Sequence, residues 1–335
     1  MAVVSIIGAG SWGTGLSILL SNNGHEVRVW SRFQDEIDML NEKREHVDKL
    51  PGVKVPDSVV FTTDMKICLS GHEFIIVVLP SQTVRENVRL LVPYISRNDI
   101  VVLCSKGIEE GTGLRLSEVV LSELSGVRVV ALYGPSHAEE VAVNVPTTVV
   151  AASPDLEAAI SVQDLFMSAC FRVYTSSDII GAEIGAALKN IIALCAGISD
   201  GLGYGDNTKA ALMTRGITEI ARLGTAMGAK AKTFSGLTGI GDLIVTCTSR
   251  HSRNWRAGNL IGRGYPVNQA IAEVKMVVEG ISAAKAAKGL MEKYKINMPI
   301  SLEAYNILFE GKGCKKAVYD LMTRSRKHES EDTGW

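Results

Sequence analysis

Lys189 is the only charged side chain in the run IGAALKNIIALCAGIS, from Ile184 to Ser199. Alanine, leucine and isoleucine surround it on nearly every face, so the helix carrying it is expected to lie in the interior. Burial penalises an ammonium and pulls its pKa down toward values useful in proton transfer. A general acid or base needs that tuning. A lysine that snorkels to the surface, or pairs with Glu183, fits the same residues, and composition divides these readings evenly. Asn190 follows and is placed to hold a substrate hydroxyl or to orient the lysine.

A second constellation is GDLIVTCTSRHSRNWR, from Gly241. Asp242 stands in a glycine-rich, otherwise apolar context that favours a functional carboxylate over a surface acid. Ten residues on, Ser252, Arg253 and Asn254 precede an expected helix. Arg253 suits bidentate contact with a phosphate, while Ser252 and the N–H groups of the new helix add neutral donors. With Arg250 and Arg256 close by, a solvated basic loop is the competing reading. Lys106 follows the strand-like IVVLC, and GPSHAEE begins at Gly134 after VVALY. In an open α/β sheet ligands collect beyond the carboxyl ends of strands, so both segments lie where substrate is expected. His137 could serve as an acid, although a histidine beside two acids is more often structural.

The other chemical signal is GAGSWG, Gly8 to Gly13, between an apolar strand and a helix. Gly8 permits the tight turn, Gly10 lets the backbone approach a pyrophosphate, and Gly13 allows helix and strand to pack closely. The phosphates then meet the N–H groups and dipole of the helix N-terminus. The strand–turn–helix context with a second strand following is what gives this short motif its weight. That second strand ends VRVW at Trp30, and Ser31 and Arg32 follow, where an NAD-selective site usually carries an acid. Arg32 suits a 2′-phosphate, so good use of NADPH is expected without excluding NADH. A solvated loop arginine is the alternative.

The elements that position these residues change character along the chain. Strands are expected at 2–7, 26–30, 59–62, 74–79, 100–104, 127–132, 146–151 and 171–175. Several are continuous apolar runs, the pattern of strands buried on both faces. Helices are expected between them, including 12–23, 82–92 and 114–124. The alternation predicts an α/β fold with a doubly wound, mostly parallel Rossmann-type sheet. Beyond about residue 178, long helices are expected at 179–198, 208–227 and 267–294. The chain is therefore read as a dinucleotide-binding domain (1–178), an all-helical substrate domain (179–326) and a polar tail (327–335). GLGYGDN, from Gly201, is expected to be an inter-helix turn, with Asp206 or Asn207 capping the next helix.

Length and composition agree with this division. The chain has 335 residues, 35 Lys+Arg against 36 Asp+Glu, 46% hydrophobic and 21% charged residues. That composition is globular and long enough for two cores. A formal charge of −1 argues against a nucleic-acid partner, which calls for a basic excess. Apolar runs such as IIVVLP fall short of a bilayer crossing, and the first residues lack the basic start of a signal peptide. Six scattered cysteines without a C-x-x-C pair suggest neither zinc nor redox chemistry, no metal, and a cytoplasmic setting.

Taken in order, GAGSWGT, SKG at Ser105–Gly107, GPSHAEEV, EIGAALKNIIALCAGISDGLGYGDNTKAAL from Glu183, GDLIVTC, HSRN and VVEG at Val277–Gly280 resemble bacterial-type NAD(P)-dependent glycerol-3-phosphate dehydrogenase. The motifs span nearly the whole chain. The resemblance implies reversible hydride transfer between C4 of NADP(H) or NAD(H) and C2 of dihydroxyacetone phosphate, giving sn-glycerol 3-phosphate for phospholipid synthesis. It makes Lys189 the proton-transfer residue, with Asp242 working beside it. Lys106 is implied to contact substrate and cofactor, Gly134 and Ser136 substrate, and Ala138 cofactor. Ser252, Arg253 and Asn254 match the substrate-phosphate segment, with Arg253 also near the cofactor. Ser11, Trp12, Arg32, Val277 and Glu279 match further cofactor positions. Trp255 departs from the pattern, standing where many relatives are expected to carry a basic residue.

Two other readings are weighed. A dehydrogenase of sugar acids or hydroxy acids would hold a carboxylate where HSRN is read as holding phosphate. A cofactor-sensing protein without turnover would have lost its acid/base group, yet Lys189 and Asp242 are both present. A homodimer is expected, because long apolar helices leave a face to cover.

Overall fold

Short runs rich in valine and isoleucine form the strands β1 (Val3–Ile7), β2 (Glu26–Trp30), β3 (Val60–Thr62), β4 (Phe74–Val77), β5 (Ile100–Leu103), β6 (Arg128–Tyr133), β7 (Thr147–Ala152) and β8 (Phe171–Ser176). They make one eight-stranded sheet in the order β3-β2-β1-β4-β5-β6-β7-β8. Every neighbouring pair is parallel except β6–β7. Each expected strand is present, with ends shifted by at most two residues. The central strands are apolar on both faces because both are covered, as a doubly wound sheet requires. Among its helices are α1 (Ser11–Asn22), α2 (Gln34–Lys43) and α3 (Val84–Arg89). The chain order reverses between β1 and β4, which places the turn after β1 at the topological switch point where such sheets bind ligands.

The structure is a computed structural model that describes residues 1–326, 328 and 329. The expected polar tail, 327–335, lies almost wholly outside the described residues. The chain divides into two compact units. Residues 1–105 and 116–179 form the sheet unit, while residues 106–115 join the chain from Ile180 onward in the helical unit. The 106–115 segment is a loop closed by the bridge between Ile108 and Arg115. Ile108 enters the helical core, and Arg115 pairs with the buried Glu183.

In the helical unit the relevant elements are α4 (Ile179–Gly201), α5 (Asp206–Ala226), α6 (Asp242–Thr248), α7 (Arg253–Gly262), α8 (Val267–Val274), α9 (Glu279–Tyr294) and α10 (Pro299–Phe309). Among the described residues α4 alone is long and apolar enough to cross a membrane, but most of it is buried as the core helix of this unit. It meets α7 backbone against backbone. A Cβ on Gly197 would collide with the Trp255 carbonyl, and one on Gly258 with that of Leu194. Glycine at both positions is what permits the approach.

Two expectations need correction. The helix expected at 267–294 is two helices, because Lys275 takes a left-handed conformation (φ 56°) and closes α8. A new helix N-terminus follows at Glu279. The cap expected from Asp206 or Asn207 is instead Gly205, and Asp206 occupies the first turn, where its charge meets the positive end of the helix dipole.

Candidate active site

The glycine-rich turn in the sheet unit is built around main-chain crowding. Gly8 has φ +120°, and a Cβ there would strike the Val78 carbonyl after β4. A Cβ on Gly13 would strike the Gly8 carbonyl. Gly10 differs: a Cβ there would meet no atom within 4 Å. It caps α1 without a side-chain hydrogen bond, and the first turn of α1 contains no acid. Open space in front of a helix N-terminus with unspent N–H groups fits the pyrophosphate of a dinucleotide. Ser11 and Trp12 begin that helix. Arg32 follows β2 and donates from Nη1 to Oε1 of Glu86 at 2.9 Å.

Gly134, Ser136 and Ala138 lie in the same unit, just past β6. Gly134 abuts the Val149 main chain, where a Cβ would fall 2.9 Å from Val149 Cα. Ser136 Oγ donates to the Gly134 carbonyl at 3.1 Å. Ala138 packs on Gly15 of α1.

The helical unit brings together Lys106, Lys189 and Asp242. Gly185 and Lys189 stand one turn apart on the same face of α4. Gly185 lies against the Thr238 carbonyl, within a π-helical turn, Leu237–Gly241, that runs directly into α6. One turn on from Thr238, Asp242 meets Lys189. Its Oδ1 accepts from Lys189 Nζ, and its Oδ2 accepts from Lys106 Nζ at 2.8 Å. Lys189 Nζ also donates to Thr246 Oγ1 at 2.7 Å. The Thr246 hydroxyl proton is spent on the Asp242 carbonyl, 2.6 Å away, which turns a lone pair toward the lysine.

Lys189 and Asp242 are 5% and 1% exposed, so Lys189 does not snorkel. Nor does it pair with Glu183, which binds Arg115. Burial drives the Lys189 pKa down, the Asp242 charge opposes that, and the Lys106 charge reinforces it, leaving a value of about 7. Burial pushes Asp242 up, but the charges of Lys106 and Lys189 outweigh it and hold its carboxyl below the usual range. Of the three N–H bonds of a protonated Lys189, two are committed, and the third is available to a reacting oxygen.

Ser252, Arg253 and Asn254 open α7. Ser252 is its N-cap, accepting from Trp255 N–H at 3.2 Å, and its hydroxyl proton stays available to an anion. Asn254 is mainly a brace. Its Nδ2 donates to Asn190 Oδ1 at 2.9 Å, while its Oδ1 accepts from Gly280 N–H at 2.8 Å. Asn190 therefore ties α4 to α7 rather than orienting the lysine. Glu279 shares the start of α9 with Gly280, and Val277 is 47% exposed just before it. Trp255 donates from Nε1 to Asp200 Oδ2 at 2.7 Å, beside Lys209 on the same oxygen at 2.9 Å. Asp200 thus keeps one cationic partner although Trp255 is uncharged.

Thr246 was missed in the sequence; its signal is the spacing of four residues from Asp242, which puts both on one helical face. Among the described residues no cluster of three or more His, Cys, Asp or Glu could hold a metal ion.

Comparison with known proteins follows the same two halves. Residues 3–159 match the family profile described as the NAD-dependent glycerol-3-phosphate dehydrogenase N-terminus, and residues 178–319 match that of its C-terminus. A glycerol-3-phosphate dehydrogenase (NAD(P)+) of Agathobacter rectalis is 56% identical, covering 100% of both chains. One from Bacillus subtilis is 55% identical, over 99% of this chain and 97% of its own. The crystal structure of glycerol-3-phosphate dehydrogenase from Coxiella burnetii superposes with a TM-score of 0.93 at 36% identity, covering 96% of this chain and 99% of that one.

Proposed function

The chain belongs to the NAD-dependent glycerol-3-phosphate dehydrogenase family, and we propose that it interconverts dihydroxyacetone phosphate and sn-glycerol 3-phosphate with Lys189 as its proton-transfer residue. The observation that carries this reading is the buried Lys189 Nζ, held by Asp242 and Thr246 with its pKa near the working range. When bound, the reduced nicotinamide supplies a hydride to C2 of the ketone. Lys189 directs its third N–H at the C2 oxygen, stabilises the negative charge that develops there, and delivers the proton. In the reverse direction neutral Lys189 takes the hydroxyl proton. Asp242 and Lys106 set the charge balance that makes both protonation states accessible.

Arg253, with the Ser252 hydroxyl and the N-terminus of α7, grips the substrate phosphate. That remote binding energy holds C2 in place for reaction. Gly8, Gly10, Ser11, Trp12, Gly13 and Arg32 hold the cofactor. The resemblance adds Gly134, Ser136 and Asn254 for substrate, and Lys106, Ala138, Arg253, Val277 and Glu279 for cofactor, while Asn190, next to Lys189, holds a substrate hydroxyl. The product is read as feeding glycerophospholipid synthesis. A cytoplasmic setting is supported by six free cysteines, and a homodimer by exposed Ile244, Tyr319 and Met322 on the helical unit; light scattering tests the latter.

The deciding assay follows the absorbance of the reduced nicotinamide with dihydroxyacetone phosphate and each cofactor. Oxidation of glycerol is run beside that of glycerol 3-phosphate. Turnover that depends on the phosphate supports the reading, and equal rates with glycerol remove the phosphate grip from it.

A further inference from the structure

Beyond the end of β2, where a dinucleotide fold meets the adenosine ribose, three acids are at hand: Asp35, exposed in the first turn of α2, Glu36 beside it, and Glu86 on α3. Glu36 on α2 is 10% exposed in its side chain. It accepts hydrogen bonds from His46 Nε2 at 2.9 Å, from Lys49 Nζ and from Ser31 Oγ. Burial works against its charge, but those hydrogen bonds prevail and hold its pKa at about 2. The Ser31 hydroxyl is spent as well, donating to Glu36 and accepting from Phe33 N–H at 3.3 Å. Glu36 therefore shapes the turn from within. The acid paired with Arg32 is Glu86, whose Oε1 lies 2.9 Å from Arg32 Nη1.

We propose that Glu86 sets the cofactor preference by competing with the 2′-phosphate for Arg32. The proposal rests on the dehydrogenase reading above and adds a residue that neither the motif nor its spacing singles out. A 2′-phosphate needs the Arg32 guanidinium, which Glu86 already engages, and the Glu86 carboxylate repels the incoming dianion. A 2′-hydroxyl makes no such demand and meets a pair whose charges cancel. The pair therefore narrows the gap between NADPH and NADH, so that one site serves both. Its side chains are 44% and 54% exposed, so the effect is the few-fold one of an ion pair open to water.

The test uses the full-length protein as wild type, Glu86→Gln, Arg32→Ala and the double variant. Calorimetry gives Kd for 2′,5′-ADP, which carries the 2′-phosphate, and for 5′-AMP, which does not. Steady-state assays give kcat and KM for both cofactors. Glu86→Gln is expected to tighten 2′,5′-ADP relative to 5′-AMP by roughly three- to fivefold. The NADPH-to-NADH ratio of kcat/KM should rise by a similar factor, through KM for NADPH. With Arg32→Ala in place, the effect of Glu86→Gln should shrink to less than about twofold, because the residue acts through that guanidinium. An unmoved or lowered ratio overturns the proposal, and so does a full effect in the Arg32→Ala background. Wild type that turns over neither cofactor would sink the dehydrogenase reading, while the nucleotide titrations still decide the role of Glu86.

Discussion

Lys106 and Lys189 donate to the two different oxygens of one buried carboxylate, that of Asp242. Two ammonium groups around a single carboxylate leave an excess of one positive charge in a site that burial makes hostile to charge. The proton relieved most readily is on Lys189, the more buried of the two lysines. Burial and the second ammonium thus lower the Lys189 pKa, as the proposed proton transfer requires.

Its pH dependence has a definite sign. For ketone reduction Lys189 must be protonated, so kcat/KM should fall as the pH rises through about 7. For alcohol oxidation it must be neutral, and kcat/KM should rise through the same region. Asp242→Asn removes the charge that holds the Lys189 pKa up, so the reduction limb should move to lower pH. Pre-steady-state rates across pH check this, and a limb that stays in place would remove Asp242 from the electrostatics.

Lys189→Ala is expected to lower kcat by about 10²- to 10⁴-fold, the range for loss of a general acid. NADPH affinity, measured by fluorescence, should hardly change, because the residues that form the dinucleotide turn lie in the sheet unit. Retained kcat would refute the assignment.

Gly10→Ala and Gly13→Ala should part company. The first adds a methyl where the protein has no atom within 4 Å, so Tm should hold while Kd for both cofactors weakens. The second drives a methyl into the Gly8 carbonyl, so Tm itself should drop. Thermal melts beside nucleotide titrations separate a ligand-facing glycine from a packing glycine.

Arg253→Ala should cost roughly ten- to hundredfold in kcat/KM for dihydroxyacetone phosphate, the scale of one charge-assisted contact. The loss should be smaller for a ketone lacking phosphate. Equal losses for both substrates would place the guanidinium elsewhere.

Glu36 links the fold to acid stability. Its pKa of about 2 lies below the ordinary 4.5, so its stabilisation is complete above pH 4.5 and is lost as the pH falls toward 2. Glu36→Gln should therefore melt a few degrees lower at neutral pH. That deficit should shrink on acidification, as Tm measured across the pH range would record.

The centre of the sheet was legible because strands buried on both faces, such as β1, β4 and β5, leave uninterrupted apolar runs. The break between α8 and α9 was not, since Lys275 is neither glycine nor proline and its left-handed turn leaves no compositional mark. Lys189 announced itself as a lone charge in an apolar helix, yet its partner is set by tertiary contact and not by local sequence. Glu183 lies near in sequence, whereas Asp242 reaches it only through the π-helical turn. Asn254 and Asn190 were recognisable as polar residues near a site. Their mutual hydrogen bond depends on two helices meeting, which no local pattern encodes.

The main-chain contact between α4 and α7 bears on the roles proposed for Lys189 and Arg253. Lys189 rides on one helix and Arg253 on the other, and at Gly197 and Gly258 no side chain separates the two backbones. The spacing of the proposed proton donor and the proposed phosphate grip is thus tied to a helix pair whose backbones touch. Under the proposed roles, selectivity for carbon-chain length would then follow from the scaffold rather than from any one side chain.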